Sequence, residues 1–309
     1  MTEEPKVSIL MNCYNGERFL REAVDSVLAQ TYGNFELVFW DNRSTDKSAK
    51  IFNSFHDKRL RYILAPEHTD LGGGRAMAWV HLSGEFVAVL DADDVWLPFK
   101  LERQLPYFRD PEVGIVISDT LFFNDMVEKP LYGGRYPPSG WVFEGLFSEY
   151  FVSLETLIVR RSAVQRLPRA FDADFSAIAD FDLVVRLSRI AKLAVVPEIL
   201  AKWRVHADSD TWRYPLSFVT EKNRWIAKQI AEDPDFYADH YDAVEKFKSK
   251  NIITKVMYLL RNNQRLAALR ELQGSRFDHW HAWALLTLCL TPFASSVLDR
   301  ILKRRTSLQ

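Results

Sequence analysis

Apolar positions recur along the first hundred residues with two alternating periods. Val7-Ser8-Ile9-Leu10-Met11 is a short apolar run that ends at the turn residues Tyr14-Asn15-Gly16, and it predicts a buried strand. Phe19, Leu20, Ala23, Val24, Val27 and Leu28 then follow at helical spacing. Phe35 to Trp40 predicts a second strand, closed by Asp41. Ser44-Thr45-Asp46 supplies a helix start, and Ile51, Phe52 and Phe55 the apolar face behind it. Leu60 to Leu64 reads as a third strand, Leu71-Gly72-Gly73-Gly74 as a loop, Arg75 to Leu82 as a short helix and Phe86 to Leu90 as a fourth strand. The order β-α-β-α-β-α-β implies a parallel sheet covered on both faces. Such sheets bind ligands at the carboxyl ends of their strands, which is where Asp41 and Asp91 both fall.

The pattern then loosens. Gly114 to Ser118 predicts a strand, Tyr132 to Gly140 a Gly- and Pro-rich loop, and Phe151 to Arg160 mixes strand and helix signals. Asp180 to Arg189 reads as a helix with Leu183, Val184, Leu187 and Ile190 as its core stripe, and Leu193 to Val196 as a strand ended by Pro197. From about Pro215 the alternation stops. Trp225, Ile226, Ile230, Tyr237 and Tyr241, then Ile252, Ile253, Val256, Met257 and Leu260, then Leu266 to Leu272 mark successive helices. The chain therefore divides into an α/β region, 1–214, with halves 1–100 and 101–214, and a helical C-terminal region, 215–309.

Composition narrows the function classes. The 309 residues are 48% hydrophobic and 26% charged, ordinary for a globular protein. Lys plus Arg number 40 against 41 for Asp plus Glu, a net charge of -1, and no basic stripe interleaved with aromatics argues for nucleic acid. Cys13 and Cys289 are far apart and unpatterned, which suits a reducing, cytoplasmic compartment and suggests neither a disulfide framework nor a zinc site. The polar start, Met1 to Lys6, runs straight into a strand without the pattern of a signal peptide. Trp283 to Leu290, stopped by Pro292, is too short to span a bilayer. With Arg300, Lys303, Arg304 and Arg305 behind it, this stretch suits either a helix packed on the body or one lying on an anionic membrane surface.

Asp91-Ala92-Asp93-Asp94 is the segment richest in chemistry. Carboxylates this close at the end of a buried strand repel and raise one another's pKa unless a cation binds among them. A hard divalent cation with oxygen ligands meets that need and brings a phosphate-bearing partner with it. A solvated acidic turn that caps the next helix is the plainer alternative.

Four segments together resemble family 2 glycosyltransferases of the GT-A fold. Met11-Asn12-Cys13-Tyr14-Asn15-Gly16, with Phe19-Leu20 and Ser26 to Tyr32, is similar to the opening strand, turn and helix of that family. Phe35 to Asp46 resembles the segment that holds the nucleotide base, and Gly84 to Asp94 the strand and DXD motif. Ala179-Asp180-Phe181-Asp182-Leu183 and Trp203-Arg204-Val205-His206 resemble the acceptor-side motifs, so the likeness spans roughly residues 5–212.

The resemblance implies an α/β fold with a Rossmann-like, mostly parallel sheet flanked by helices and a helical C-terminal extension. It implies an inverting, metal-dependent transfer of a sugar from a UDP- or dTDP-linked donor to a hydroxyl of a glycan or lipid-linked acceptor, in cell-surface polysaccharide synthesis. By the same resemblance Asp41 accepts from the base with Tyr14 beside it, Arg75 lies near the diphosphate, and Asp91 and Asp93 bind the nucleotide. Asp93, Asp94 and His206 hold Mn²⁺ or Mg²⁺, and Asp180 is the catalytic base, whose position at a helix start favours its charged form. A positioned carboxylate of this kind contributes ~10²–10⁴-fold. Asp182 reads as structural, paired with Arg186 one helical turn on. The implied setting is the cytoplasmic face of the inner membrane, with peripheral contact through the helical tail and with homo-oligomerisation allowed.

Three positions depart from the family pattern. Asn42 stands where a second Asp is common, Ala76 follows Arg75 where Asn is frequent, and Ala179 precedes Asp180 where Glu is frequent. They motivate a second reading, a non-catalytic nucleotide-sugar-binding module or partner subunit. A nucleotidyltransferase is a third, but it calls for a Gly-rich basic loop, and Met11 to Arg18 holds only Gly16 and one arginine.

Overall fold

A computed structural model describes residues 6–124 and 126–273. The chain divides into two compact units, Met1–Leu146 with Tyr150–His206, and Phe147–Glu149 with Ala207–Gln309. Among the described residues the first unit carries nine strands: β1 (Val7–Cys13), β2 (Phe35–Asp41), β3 (Leu60–Leu64), β4 (Phe86–Val89), β5 (Val95–Trp96), β6 (Val113–Phe123), β7 (Glu128–Pro130), β8 (Ile158–Arg160) and β9 (Lys192–Arg204). Their order is β3-β2-β1-β4-β8-β6-β9-β5, with β7 beside β6.

The sheet has two halves of different character. In the first, β1 pairs in parallel with both β2 and β4, and β2 with β3. The crossovers carry helices α1 (Leu20–Leu28), α2 (Ser48–Phe52) and α3 (Leu71–Trp79). Every residue of β1 and β2 is buried, as the continuous apolar runs require of a strand covered on both faces. Ile9, Met11, Leu37 and Phe39 pack with Leu20, Ala23, Val24 and Val27 of α1 in one core. In the second half β8 is antiparallel to β4 and β6, β5 is antiparallel to β9, and only β6–β9 remains parallel.

Three local expectations need correction. Leu71-Gly72-Gly73-Gly74 opens α3 instead of forming a loop. Asp70 caps it by accepting from the Gly73 amide at 2.8 Å, and a Cβ on Gly72 would lie 2.0 Å from the Phe175 carbonyl oxygen, so glycine is there for close backbone approach. The helix expected from Ser44 begins at Ser48, because Ser44, Thr45 and Asp46 are used to tie two loops together. Strand β9 does not stop at Pro197. Its register against β6 jumps from Val196↔Ser118 to Ile199↔Asp119, so the ladder skips the residue that has no N–H and runs on to Arg204.

The described part of the second unit is helical, with Pro215–Glu232, Phe236–Asp239, Tyr241–Arg261 and Arg265–Gln273. Phe147, Trp225, Phe236 and Phe247 pack their rings together at its centre, and Glu149 meets Lys246 and Lys250 at 3.0 and 2.9 Å. No described helix is long and apolar enough to cross a membrane. Trp283 to Leu290 and the basic stretch from Arg300 lie outside the described residues.

Candidate active site

Parallel pairing brings the carboxyl ends of β1, β2 and β4 to one edge. Cys13 is level with Asp41, and Leu10 with Val89, just ahead of Asp91. The turns at this edge are laced together. Asn15, in the left-handed region at φ 55°, accepts from the Thr45 amide at 2.8 Å, and the amides of Asn15 and Gly16 donate to Ser44 and Ser48. Asp41 is 1% exposed. One of its oxygens accepts from the Tyr62 phenol at 2.6 Å and the other from the Ser44 amide at 2.7 Å, which leaves one lone pair on each for a base. Burial first, then the charge of Asp41, pushes the Tyr62 phenol up, so it stays a donor. Tyr14 is half exposed, and its ring lies 4.3 Å from that of His68.

Asn42 has a structural task. Its side chain donates to the Thr69 carbonyl at 2.7 Å and accepts from the Thr69 amide at 3.2 Å, while its own carbonyl holds His68 Nδ1 at 2.8 Å. Asparagine has both the donor and the acceptor this brace requires, whereas a carboxylate would set oxygen against oxygen.

The three carboxylates after β4 have separate surroundings. Asp91 accepts from Arg75 Nη2 at 2.6 Å, and Arg75 itself is 2% exposed on α3 with Nε buried and unpartnered. Burial raises the Asp91 carboxyl most, Arg75 opposes it, and the charges of Asp93 and Asp180 raise it further. Asp93, with a third of its side chain exposed, meets His206 Nε2 through one oxygen at 2.9 Å. A carboxylate only accepts, so that nitrogen carries the proton, and Nδ1 of the same ring is buried without a partner. Asp94 is 2% exposed and accepts from the Arg204 amide at 2.8 Å. Burial, then Asp93, Glu155 and Asp91, hold its carboxyl well above the ordinary range.

Arg204, at the end of β9, fastens this turn. Its Nε donates to the Asp93 carbonyl at 2.9 Å, Nη2 reaches Glu22 at 2.5 Å, and the guanidinium lies between the rings of Phe19 and Phe123. Beneath the turn lies fully buried Lys100, bonded to Gln104 and, at 3.1 Å, to the Thr156 carbonyl, with its ammonium 4.6 Å from the centre of the Trp96 ring. Desolvation brings it down to about 7, against the opposing pull of Glu155.

On the second half of the sheet, helix Ala179–Ser188 presents Asp180 in its first turn, where Oδ2 accepts from the Tyr150 phenol at 2.9 Å. Asp182, one residue pair along, is buried and held by Arg186 through two guanidinium nitrogens, and Arg186 also reaches the carbonyls of Arg169 and Ala170. The i,i+4 pairing read from the sequence is present, so Asp182 is part of the frame.

Of the expected site residues, Arg75, Asp91, Asp93, His206 and Asp180 share one neighbourhood, through the pairs Arg75–Asp91 and Asp93–His206 and the influence of Asp180 on Asp91. Tyr14 and Asp41 stand at the ends of β1 and β2, and Asp94 is turned into the buried layer. Tyr62, His68, Tyr150, Glu155, Lys100 and Arg204 were not assigned roles from the sequence, although Arg204 lies within the matched motif Trp203-Arg204-Val205-His206 and Tyr62 within the predicted third strand. Two hollows elsewhere, one beside Trp141, Arg160 and Arg166 and one beside Tyr32, Phe86 and Arg109, touch none of these residues.

No three His, Cys, Asp or Glu side chains among the described residues are set to enclose an ion. Mg²⁺ and Mn²⁺ are commonly held by one or two carboxylates together with substrate phosphates, and Asp91 and Asp93 with an adjacent imidazole fit that open arrangement.

A parallel half that ends in acidic side chains, continued by a mixed half that brings a further carboxylate to the same neighbourhood, is the GT-A architecture of nucleotide-sugar-dependent glycosyltransferases. Solved structures of S. aureus TarS residues 1–349 with UDP (TM-score 0.62, 20% identity, 78% of this chain and 70% of that one) and of the mannosyltransferase PcManGT from Pyrobaculum calidifontis with GDP-Man and Mn²⁺ (TM-score 0.63, 19% identity, 100% and 89%) share the fold. The model of the family described as glycosyl transferase family 2 matches residues 8–167, and the chain belongs to that family. Among its relatives is WfgD of Escherichia coli, named as a UDP-Glc:alpha-D-GlcNAc-diphosphoundecaprenol beta-1,3-glucosyltransferase. It is 38% identical over 156 residues, 50% of this chain and 60% of that protein.

Proposed function

We propose that the protein is an inverting, metal-dependent glycosyltransferase that moves a sugar from a UDP- or dTDP-linked donor to a hydroxyl of a glycan or lipid-linked acceptor, in the synthesis of a surface polysaccharide at the cytoplasmic face of the membrane. The approach of the segment leading into Asp180 to the helix that carries Arg75 supports this reading: the Leu71 amide at the start of α3 donates to Ser176 at 3.2 Å, and Arg75 of the same helix holds Asp91 at 2.6 Å. In this reading donor and acceptor groups converge on one reacting centre. The named activity of WfgD, a glucosyl transfer from a UDP-sugar to a lipid diphosphate sugar, agrees with the donor and acceptor classes.

In this reading Asp41 accepts from the imide N–H of the base and Tyr14 lies against its face. Asp91 contacts the nucleotide, with Arg75 near the diphosphate. Asp93 and Asp91 supply oxygens to Mn²⁺ or Mg²⁺, which when bound neutralises charge that develops on the departing diphosphate. His206 holds Asp93 by donating from Nε2, and buried Asp94 holds β9 against the turn through Arg204. Asp180 takes the proton of the acceptor hydroxyl as its oxygen bonds to the anomeric carbon, and the bond to the diphosphate breaks with its electron pair leaving on the diphosphate. Attack from the face opposite the leaving group inverts the anomeric centre.

The test is a thermal-shift panel of UDP-glucose, UDP-N-acetylglucosamine, dTDP-glucose and GDP-mannose, each with and without Mn²⁺. A ligand that binds only the native state raises its melting temperature with concentration. A uracil- or thymine-linked donor should raise it, and more so with Mn²⁺. A shift by GDP-mannose alone rejects the assignment of Asp41, and shifts without nucleotide release on prolonged incubation favour a binding module.

A further inference from the structure

Among the described residues, the one hydrogen bond to the Asp180 carboxylate comes from Tyr150, at 2.9 Å from Oδ2. Asp180 begins a helix, and an acidic side chain there is commonly spent on capping backbone amides, but no such bond is made and the cap residue Ile178 offers none. Asp182 shows what a structural carboxylate looks like in the same turn, with its oxygens bonded by the Arg186 guanidinium at 2.5 and 3.0 Å. Asp180 has instead a single neutral donor on one oxygen. We propose that Tyr150 is a positioning residue for the reaction: its phenol fixes Oδ2 of Asp180 and so turns Oδ1 toward the acceptor hydroxyl.

This rests on the reading of Asp180 as the base. The phenol is suited to the task. A carboxylate only accepts, so Tyr150 donates and keeps its own proton. Burial, then the Asp180 charge, push its hydroxyl well above the ordinary range, so it remains a donor across any working pH. Its ring meets buried Phe181 edge to face with centroids 5.1 Å apart, which holds the ring and so the place of its hydroxyl oxygen. The groups that act on the pair are Arg75 from α3, Asp91 from the turn after β4, and Tyr132 from the segment after β7. Arg75 is already committed to Asp91. A neutral donor orients Asp180 without the full charge of an ion pair, which would weaken a base.

Tyr150→Phe keeps the ring and removes one oxygen. Nucleotide release from UDP-glucose, UDP-N-acetylglucosamine and GDP-mannose with Mn²⁺ would be followed for the wild type, Tyr150→Phe and Asp180→Asn. For Tyr150→Phe the expected result is a kcat about tenfold lower with donor KM within about twofold. A kcat equal to that of the wild type while Asp180→Asn is inactive overturns the role of Tyr150 alone. Near wild-type turnover by Asp180→Asn overturns the base reading instead. UDP binding, read as a thermal shift, should be unchanged in Tyr150→Phe; its loss overturns the inference by showing that the ring supports the whole site.

Discussion

The carboxylates inside the parallel half and those at its seam with the mixed half, where a third of the Asp91 side chain is exposed, are treated in opposite ways. Glu36, on β2, is almost fully buried, yet Ser8, the Ser83 amide and hydroxyl, and Arg61 all donate to it, and together these bonds outweigh burial and hold its carboxyl below the ordinary range. Asp91, Asp94 and Glu155, at the seam, are held above it, because burial and mutual repulsion exceed the bonds they receive. A charge that only braces structure is surrounded by donors until it is cheap to keep. The seam carboxylates are left with an unmet demand for positive charge, which suits a site that takes up a cation and a reacting group. On the proposed function, the parallel half is a donor platform finished before ligand arrives, and the chemistry belongs to the edge where the mixed half begins.

The largest expected effect tests that division. Asp180→Asn removes the carboxylate contributed by the mixed half and should lower kcat by ~10²–10⁴-fold while donor KM stays within about twofold, in steady-state nucleotide release. A matching loss of donor affinity would mean that the two halves do not divide the labour.

Much of the parallel half was legible because β1, β2 and β4 are buried on both faces, so a run such as Phe35 to Trp40 reads as a strand. That the ends of β2 and β4 reach one edge, on either side of β1, followed from topology alone. The mixed half was less legible for identifiable reasons. Strand β9 crosses a proline by a register shift that no local signal announces, and that crossing is what brings Arg204 and His206 to the acidic turn. β5 is two residues long and exists through its pairing with β9. Asp94 was grouped with Asp93 by adjacency, although successive residues of a turn face different surroundings, and Tyr150 reaches Asp180 across 30 positions with no spacing to betray it.

A smaller effect probes the seam through stability. Folded Lys100 loses its proton near pH 7, whereas the unfolded chain keeps it to about 10.5. Between those values the folded protein binds fewer protons than the unfolded chain, so this group makes stability rise with pH across the window and contributes no slope below it. Lys100→Met should therefore flatten the rise in melting temperature between pH 7 and 10, a differential on the order of a few kcal/mol. The penalty that the variant relieves is greatest at and below pH 7. An unchanged slope would mean that Lys100 keeps its proton when buried, and that the seam holds a second buried cation besides Arg75.

The smallest effect asks whether the parallel half is as finished as it looks. Asn42→Asp would restore the residue that the wider family pattern has at this position. If the site were a worn-down one, the change should tighten uridine nucleotide binding. The geometry predicts otherwise, because the amide donates to the Thr69 carbonyl at 2.7 Å and a carboxylate there would face an acceptor with no proton to offer. The variant should lose about 1–2 kcal/mol of stability in denaturant melts, with UDP affinity no better than wild type. Tighter UDP binding at unchanged stability would mean that Asn42 is a lost contact to the base, and that the parallel half, like the seam, is still waiting for its ligand.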